Sequence, residues 1–139
     1  VTAVLDASVF VSAVSPHEVH HGEALRLMAT VPDDVPYVVP AVFRVEVVAA
    51  LARRGATDAH LDAVDARIRG PRFALAGLDH ALVDLATALA RSARLRGYDA
   101  LYAAVALQRR LPLLNLDREL ADRLRTVRPD VEVRTGADG

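Results

Sequence analysis

Short apolar runs alternate along this chain with longer segments of helical periodicity. Residues 2–5 read as a buried strand ending at Asp6, and 8–14 as a short first helix. From Pro16 the segment HEVHHGEALRLMAT carries Ala24, Leu25, Leu27 and Met28 at helical spacing, so a helix is predicted to open there. VPDDVP is a turn, and residues 37–39 are a second brief strand. Pro40 introduces a helical run over 41–54, stopped by Gly55 as a C-terminal cap would be. Residues 57–69 form another helix with Leu61, Val64 and Ile68 on one face, ended by Gly70 and Pro71. A third strand follows at 73–75, and Asp79 then caps a long helix that reaches about Arg96 and breaks at Gly97. Residues 98–110 are helical, Leu113 and Leu114 make a fourth strand, and Asp117 precedes the helix RELADRLRTV. Residues 131–133 are a last strand, which leaves 136–139 as a loose tail behind one domain over 1–135. Short strands separated by helices predict an α/β fold, a parallel sheet of about four to five short strands flanked by helices.

Composition narrows the chemistry. Hydrophobic residues are 53% and charged residues 25% of the chain, the balance of a soluble globular protein. The net charge of −1 supplies no global positive field to attract a nucleic acid. All 17 basic residues are arginine, so a P-loop lysine and Schiff-base catalysis are both excluded. Without cysteine there are no disulfides, no thiolate nucleophile and no cysteine-bound zinc. The opening VTAVLDASVFVSAV is apolar but contains Asp6 and has no basic lead, so neither a signal peptide nor a membrane span is expected. A cytoplasmic protein is the expectation.

Four carboxylates stand out because they lie at strand ends or in apolar surroundings: Asp6, Glu46, Asp99 and Asp117. Asp6, Asp99 and Asp117 each precede a helix, where capping alone would explain them. Glu46 lies about five residues, roughly 8 Å, into its helix among valines, too deep for an ordinary cap. A buried carboxylate there needs a cation or a raised pKa, and an ion pair with an arginine is the structural alternative. In a parallel sheet, helices begin near the C-terminal ends of the strands, so all four can converge at that edge, where open α/β sheets place ligands. Gathered there they repel one another, by about 4 kcal/mol for a pair about 4 Å apart at an effective dielectric near 20. Hard divalent cations relieve that repulsion, which makes metal-assisted phosphodiester hydrolysis the economical reaction class.

These segments resemble a known family. VLDASVFVSAV is similar to the opening motif of PIN domains, with Asp6 at the strand end and Ser8 two residues later. PAVFRVEVVAALARR resembles the second motif through Glu46, and YDALYAAVALQRRLPLLNLDREL the remaining two through Asp99, in a D-A-x-Y-x-A pattern, and Asp117. The resemblance implies a three-layer PIN-like sandwich and an endoribonuclease that uses Mg²⁺ or Mn²⁺ held by Asp6, Glu46, Asp99 and Asp117. Its VapC toxin branch implies a homodimer neutralised by an antitoxin protein. Asn115 departs from the Thr or Ser usual two residues before the last Asp, and it can still orient a water or a ligand. A non-catalytic PIN-like binding module is the alternative.

His17, Glu18 and His21 spell the H-E-x-x-H of zinc hydrolases, but no third ligand has a matching spacing, and an exposed polar helix start explains them. For RNA contact the candidates are Arg44, Arg53, Arg54, Arg94, Arg96, Arg109 and Arg110, most of them expected on solvated helix faces. Val42, Val45, Leu51, Leu61 and Ile68 offer more apolar surface than one sheet face can cover, which suggests a groove for an amphipathic partner helix.

Overall fold

The computed structural model describes residues 2–136, so the expected tail falls outside it apart from Gly136, which lies against the side chain of Glu23. The chain builds a three-layer α/β sandwich. Its strands are β1 (Val4–Leu5), β2 (Tyr37–Pro40), β3 (Phe73–Ala76), β4 (Leu113–Leu114) and β5 (Val133–Arg134). Around them pack α1 (Ala7–Ala13), α2 (His21–Met28), α3 (Phe43–Arg53), α4 (Asp58–Ile68), α5 (His80–Ala93), α6 (Gly97–Arg109) and α7 (Arg118–Val127). Every pairing in the sheet is parallel and the strand order is β3-β2-β1-β4-β5. The first strand in sequence is therefore the central one, with Val4 opposite Val38 on one side and Leu113 on the other. Helical crossovers bury both faces of such a sheet, which is why VL and LL are wholly apolar and inaccessible rather than alternating. Among the described residues no helix is long and apolar enough to cross a membrane.

An aromatic cluster anchors the β3 side: the Phe73 ring lies 5.1 Å from Phe10, 5.4 Å from Phe43 and 5.8 Å from Tyr37, in tilted or edge-on arrangements. This cluster fixes α1 and α3 against the sheet, and those two helices carry the first two acidic positions.

Several helix boundaries differ from the sequence expectation. Pro16 does not open a helix; residues 16–20 form turns and α2 begins only at His21. The helix carrying Glu46 starts at Phe43, so Glu46 sits in its first turn rather than a turn and a half inside. The long helix stops at Ala93, because Arg94 takes a left-handed conformation (φ 55°) that ends the ladder. Gly97 is then the first residue of α6 and breaks nothing. Last, the fifth strand occupies Val133–Arg134 rather than 131–133.

Candidate active site

Each acidic position is set by the local logic of its helix start. Asp6 leaves β1 in extended conformation and caps α1, its Oδ2 accepting the Ser8 backbone N–H (2.9 Å) and the Ser8 hydroxyl (2.5 Å). Asp117 caps α7 by accepting the Leu120 N–H at 3.1 Å, while the Asn115 Oδ1 accepts the Asp117 N–H at 2.6 Å. Capping and membership of a site are thus compatible for both. Asp99 is no cap: it lies in the first turn of α6, whose N-cap position is Arg96. Asp6, Glu46, Asp99 and Asp117 all line one cleft of about 810 Å³.

Their electrostatics tie them together. Burial pushes the Asp6 carboxyl up to about 6 against the two Ser8 hydrogen bonds, with the charges of Asp99 and Asp117 adding to the rise. Burial likewise pushes Glu46 up to about 7, against a hydrogen bond from Tyr102, with Asp6 and Asp99 adding. Asp99 is raised by burial and then by Asp117, with Arg96 opposing. Four carboxylates therefore feel one another across the cleft. Among the described residues none of them forms an ion pair, so the arginine partner considered for Glu46 does not exist. Nor does any group of three His, Asp or Glu side chains, among those residues, stand close enough to chelate an ion as placed.

The partner of Glu46 is Tyr102, whose hydroxyl donates to Oε1 at 2.7 Å across 56 residues of sequence. Tyr102 is completely buried, and burial together with the charges of Glu46 and Asp6 raises its pKa, so it keeps its proton and acts as a donor. It is the Tyr of the D-A-x-Y pattern, one helical turn after Asp99, and the spacing places it on the same face. The sequence showed the residue but not its partner. Tyr98, 56% exposed, also lines the cleft and was not singled out from sequence.

The arginine candidates separate. Arg53, Arg54 and Arg96 line the cleft, although Arg54 is engaged by Glu18. Arg44 is held by both oxygens of Asp65, at 2.6 and 3.0 Å, and faces a different groove. Arg94 is the left-handed cap of α5, and its carbonyl accepts from Arg123. Arg109 lies ten residues along α6 from Asp99, about 15 Å away, and Arg110 caps that far end. Neither lines the cleft. The H-E-x-x-H residues do not share a helix: His17 and Glu18 are in turns, Glu18 is paired with Arg54, and the His21 Nδ1 is 2.8 Å from the Ser12 carbonyl. Helical spacing was the basis of the zinc reading, and it is absent.

Chemically, the cleft offers hard, anionic oxygen donors held by neutral hydrogen-bond partners, with arginines at the rim. That donor set suits Mg²⁺ or Mn²⁺, because the carboxyl groups are buried and raise one another, and among the described residues only Asp99 has an opposing charge, Arg96.

Known structures share this fold. VapC20 of Mycobacterium tuberculosis, described as a Sarcin-Ricin loop cleaving toxin, superposes with a TM-score of 0.72 at 20% identity, over 87% of this chain and 94% of its own. A toxin-antitoxin complex from Klebsiella pneumoniae gives 0.72 at 16% identity, over 97% and 98%. PAE2754 from Pyrobaculum aerophilum is 26% identical with a TM-score of 0.58, over 88% and 86%. No curated protein matches the chain in sequence. The PIN-domain model matches residues 3–125, from the strand before Asp6 to the helix after Asp117, and the chain belongs to the PIN-domain family.

Proposed function

We infer that this protein is a metal-dependent endoribonuclease and the toxin of a toxin–antitoxin pair. The observation that carries the reading is the convergence of Asp6, Glu46, Asp99 and Asp117 on one cleft, none of them ion-paired among the described residues. Asp6, Glu46 and Asp99 are the residues that would hold Mg²⁺ or Mn²⁺, with Asp117 completing or orienting the set. The bound cation supplies charge that polarises a phosphoryl oxygen and makes a water more acidic. Ser8 holds Asp6 through its N–H and hydroxyl, and Asn115 and the Leu120 N–H fix Asp117. Arg53 and Arg96 stand where a phosphate backbone would enter, and guanidinium groups bind phosphate oxygens in pairs.

The toxin role rests on the likeness to VapC20 and to toxin–antitoxin complexes, together with a suitable docking face. The predicted apolar groove contracts, since Leu51 and Ile68 belong to the core. Val45 remains 67% exposed, and with Leu61 and the carboxylates of Asp58, Asp62 and Asp65 it lines a groove between α3 and α4. Asp65 is already paired with Arg44, so an amphipathic antitoxin helix would meet the apolar strip of Val45 and Leu61, and a basic residue of it the carboxylates of Asp58 and Asp62. The expected homodimer has its own support in Leu75, Leu78, Val83 and Tyr98, large apolar side chains left exposed.

The decisive experiment incubates the purified chain with total RNA, with and without Mg²⁺ or Mn²⁺, and maps the new ends. Cleavage should require the cation and disappear in Asp99→Asn. A fully active Asp99→Asn protein refutes the site, and no cleavage under any cation favours the binding-module alternative. Expression alone should be toxic and be relieved by the small open reading frame beside the gene.

A further inference from the structure

We propose that Tyr102 is a positioning residue that fixes Glu46 relative to Asp99 for cation binding; this rests on the metal-dependent reading above. The geometry is a bridge. The phenol oxygen donates to Glu46 Oε1 on α3 at 2.7 Å, and it also feels the Ala7 backbone and the charge of Asp6 beside it. The ring itself is carried by α6, one turn beyond Asp99, and has no solvent exposure. One side chain therefore links the helices that present Glu46 and Asp99.

The hydroxyl proton also selects between the two oxygens of Glu46. With Oε1 accepting from Tyr102, Oε2 is the oxygen left to take a cation. Three carboxylates that repel one another would otherwise relax apart through side-chain rotation, and Glu46 has the longest and most rotatable side chain of the three. A residue that only filled the core would need the ring and not the hydroxyl. Groups that orient metal ligands in this way, without touching the metal, are commonly worth tenfold or more in affinity.

The test is Mn²⁺ binding to RNA-free protein by isothermal titration calorimetry, comparing the wild type with Tyr102→Phe, Glu46→Gln and the double variant. Tyr102→Phe keeps the ring, and its cooperative melting confirms folding. The expected result is a Mn²⁺ dissociation constant weakened about tenfold by Tyr102→Phe in the wild-type background. In the Glu46→Gln background the same change should have little effect, because the group it positions is already neutral. Unchanged Mn²⁺ affinity in a folded Tyr102→Phe protein, with wild-type binding intact, overturns the positioning role alone. A wild type that binds no Mn²⁺ overturns the metal reading and this proposal with it. Equal weakening in both backgrounds also overturns it, since the tyrosine would then act independently of Glu46.

Discussion

Replacing Asp6 by Asn should make the cation-free protein more stable at alkaline pH while destroying its proposed activity. In the folded chain burial pushes the Asp6 carboxyl up from the ordinary 3.8 to about 6. A folded-state value above the unfolded one means that the folded protein binds more protons between the two, so stability falls as pH rises through that window. At 1.36 kcal/mol per pH unit, ionising this buried group costs the fold about 3 kcal/mol by the time it is fully charged. Asparagine is nearly the same shape, and its carbonyl can still accept the Ser8 N–H that Asp6 now takes at 2.9 Å. A poorly placed amide N–H₂ would return about 1 kcal/mol of that gain. The expected net stabilisation is about 2 kcal/mol at about pH 8, or roughly 6 °C in melting temperature for a chain of this size. At about pH 4 the wild-type carboxyl in the folded chain is protonated, so the gain is gone and only the amide cost is left, and Asp6→Asn should melt at or slightly below the wild type. Thermal melts in EDTA across that range are the measurement. If Asp6→Asn is destabilised by the same amount at both ends, the carboxylate acts as a stabilising cap and the argument from uncompensated charge is wrong.

Adding Mg²⁺ or Mn²⁺ should raise the wild-type melting temperature in proportion to the logarithm of cation concentration, and much less in Asp99→Asn; differential scanning fluorimetry reads both. His17→Ala combined with His21→Ala should keep most RNA cleavage and leave metal content unchanged, because these residues lie in a turn and at a helix start away from any common face. A stoichiometric zinc lost in that double variant, measured by elemental analysis, would restore the hydrolase alternative. Arg44→Ala should leave urea melts and activity nearly unchanged, since its pairing with Asp65 is at the surface.

The parts of this protein that were legible in sequence are those fixed by local rules. Strand–helix alternation gave the parallel sheet, and the four acidic residues were placed at one edge because parallel topology leaves them nowhere else to go. Where the reading erred, a local signal had two meanings. Pro16 can open a helix or a turn, and here the chain between α1 and α2 needs residues 16–20 to reverse direction. Gly97 resembles a stop, yet the reversal is made by Arg94 and an arginine in left-handed conformation carries no composition signal. The role of Tyr102 was not readable because its partner is 56 residues away, and helical periodicity says which face a residue occupies but not what meets it there. Arg44 failed as an RNA candidate for a similar reason: Asp65 reaches it from the next helix.

The central position of β1 has a consequence for how the protein comes into being. Strands β1, β2 and β3 and the helices α1 and α3 are complete well before β4 emerges, and they bring only Asp6 and Glu46. Asp99 and Asp117 arrive with the later half, whose β4 must dock on the still-open edge of β1 before the carboxylates meet. Pairings so distant in sequence form late in folding. A half-made chain thus holds a partial sheet but not the acidic cleft, and the mutual repulsion of the four groups is met only at the last docking step. For the nuclease proposed above, assembly order itself would delay the moment at which the finished site exists.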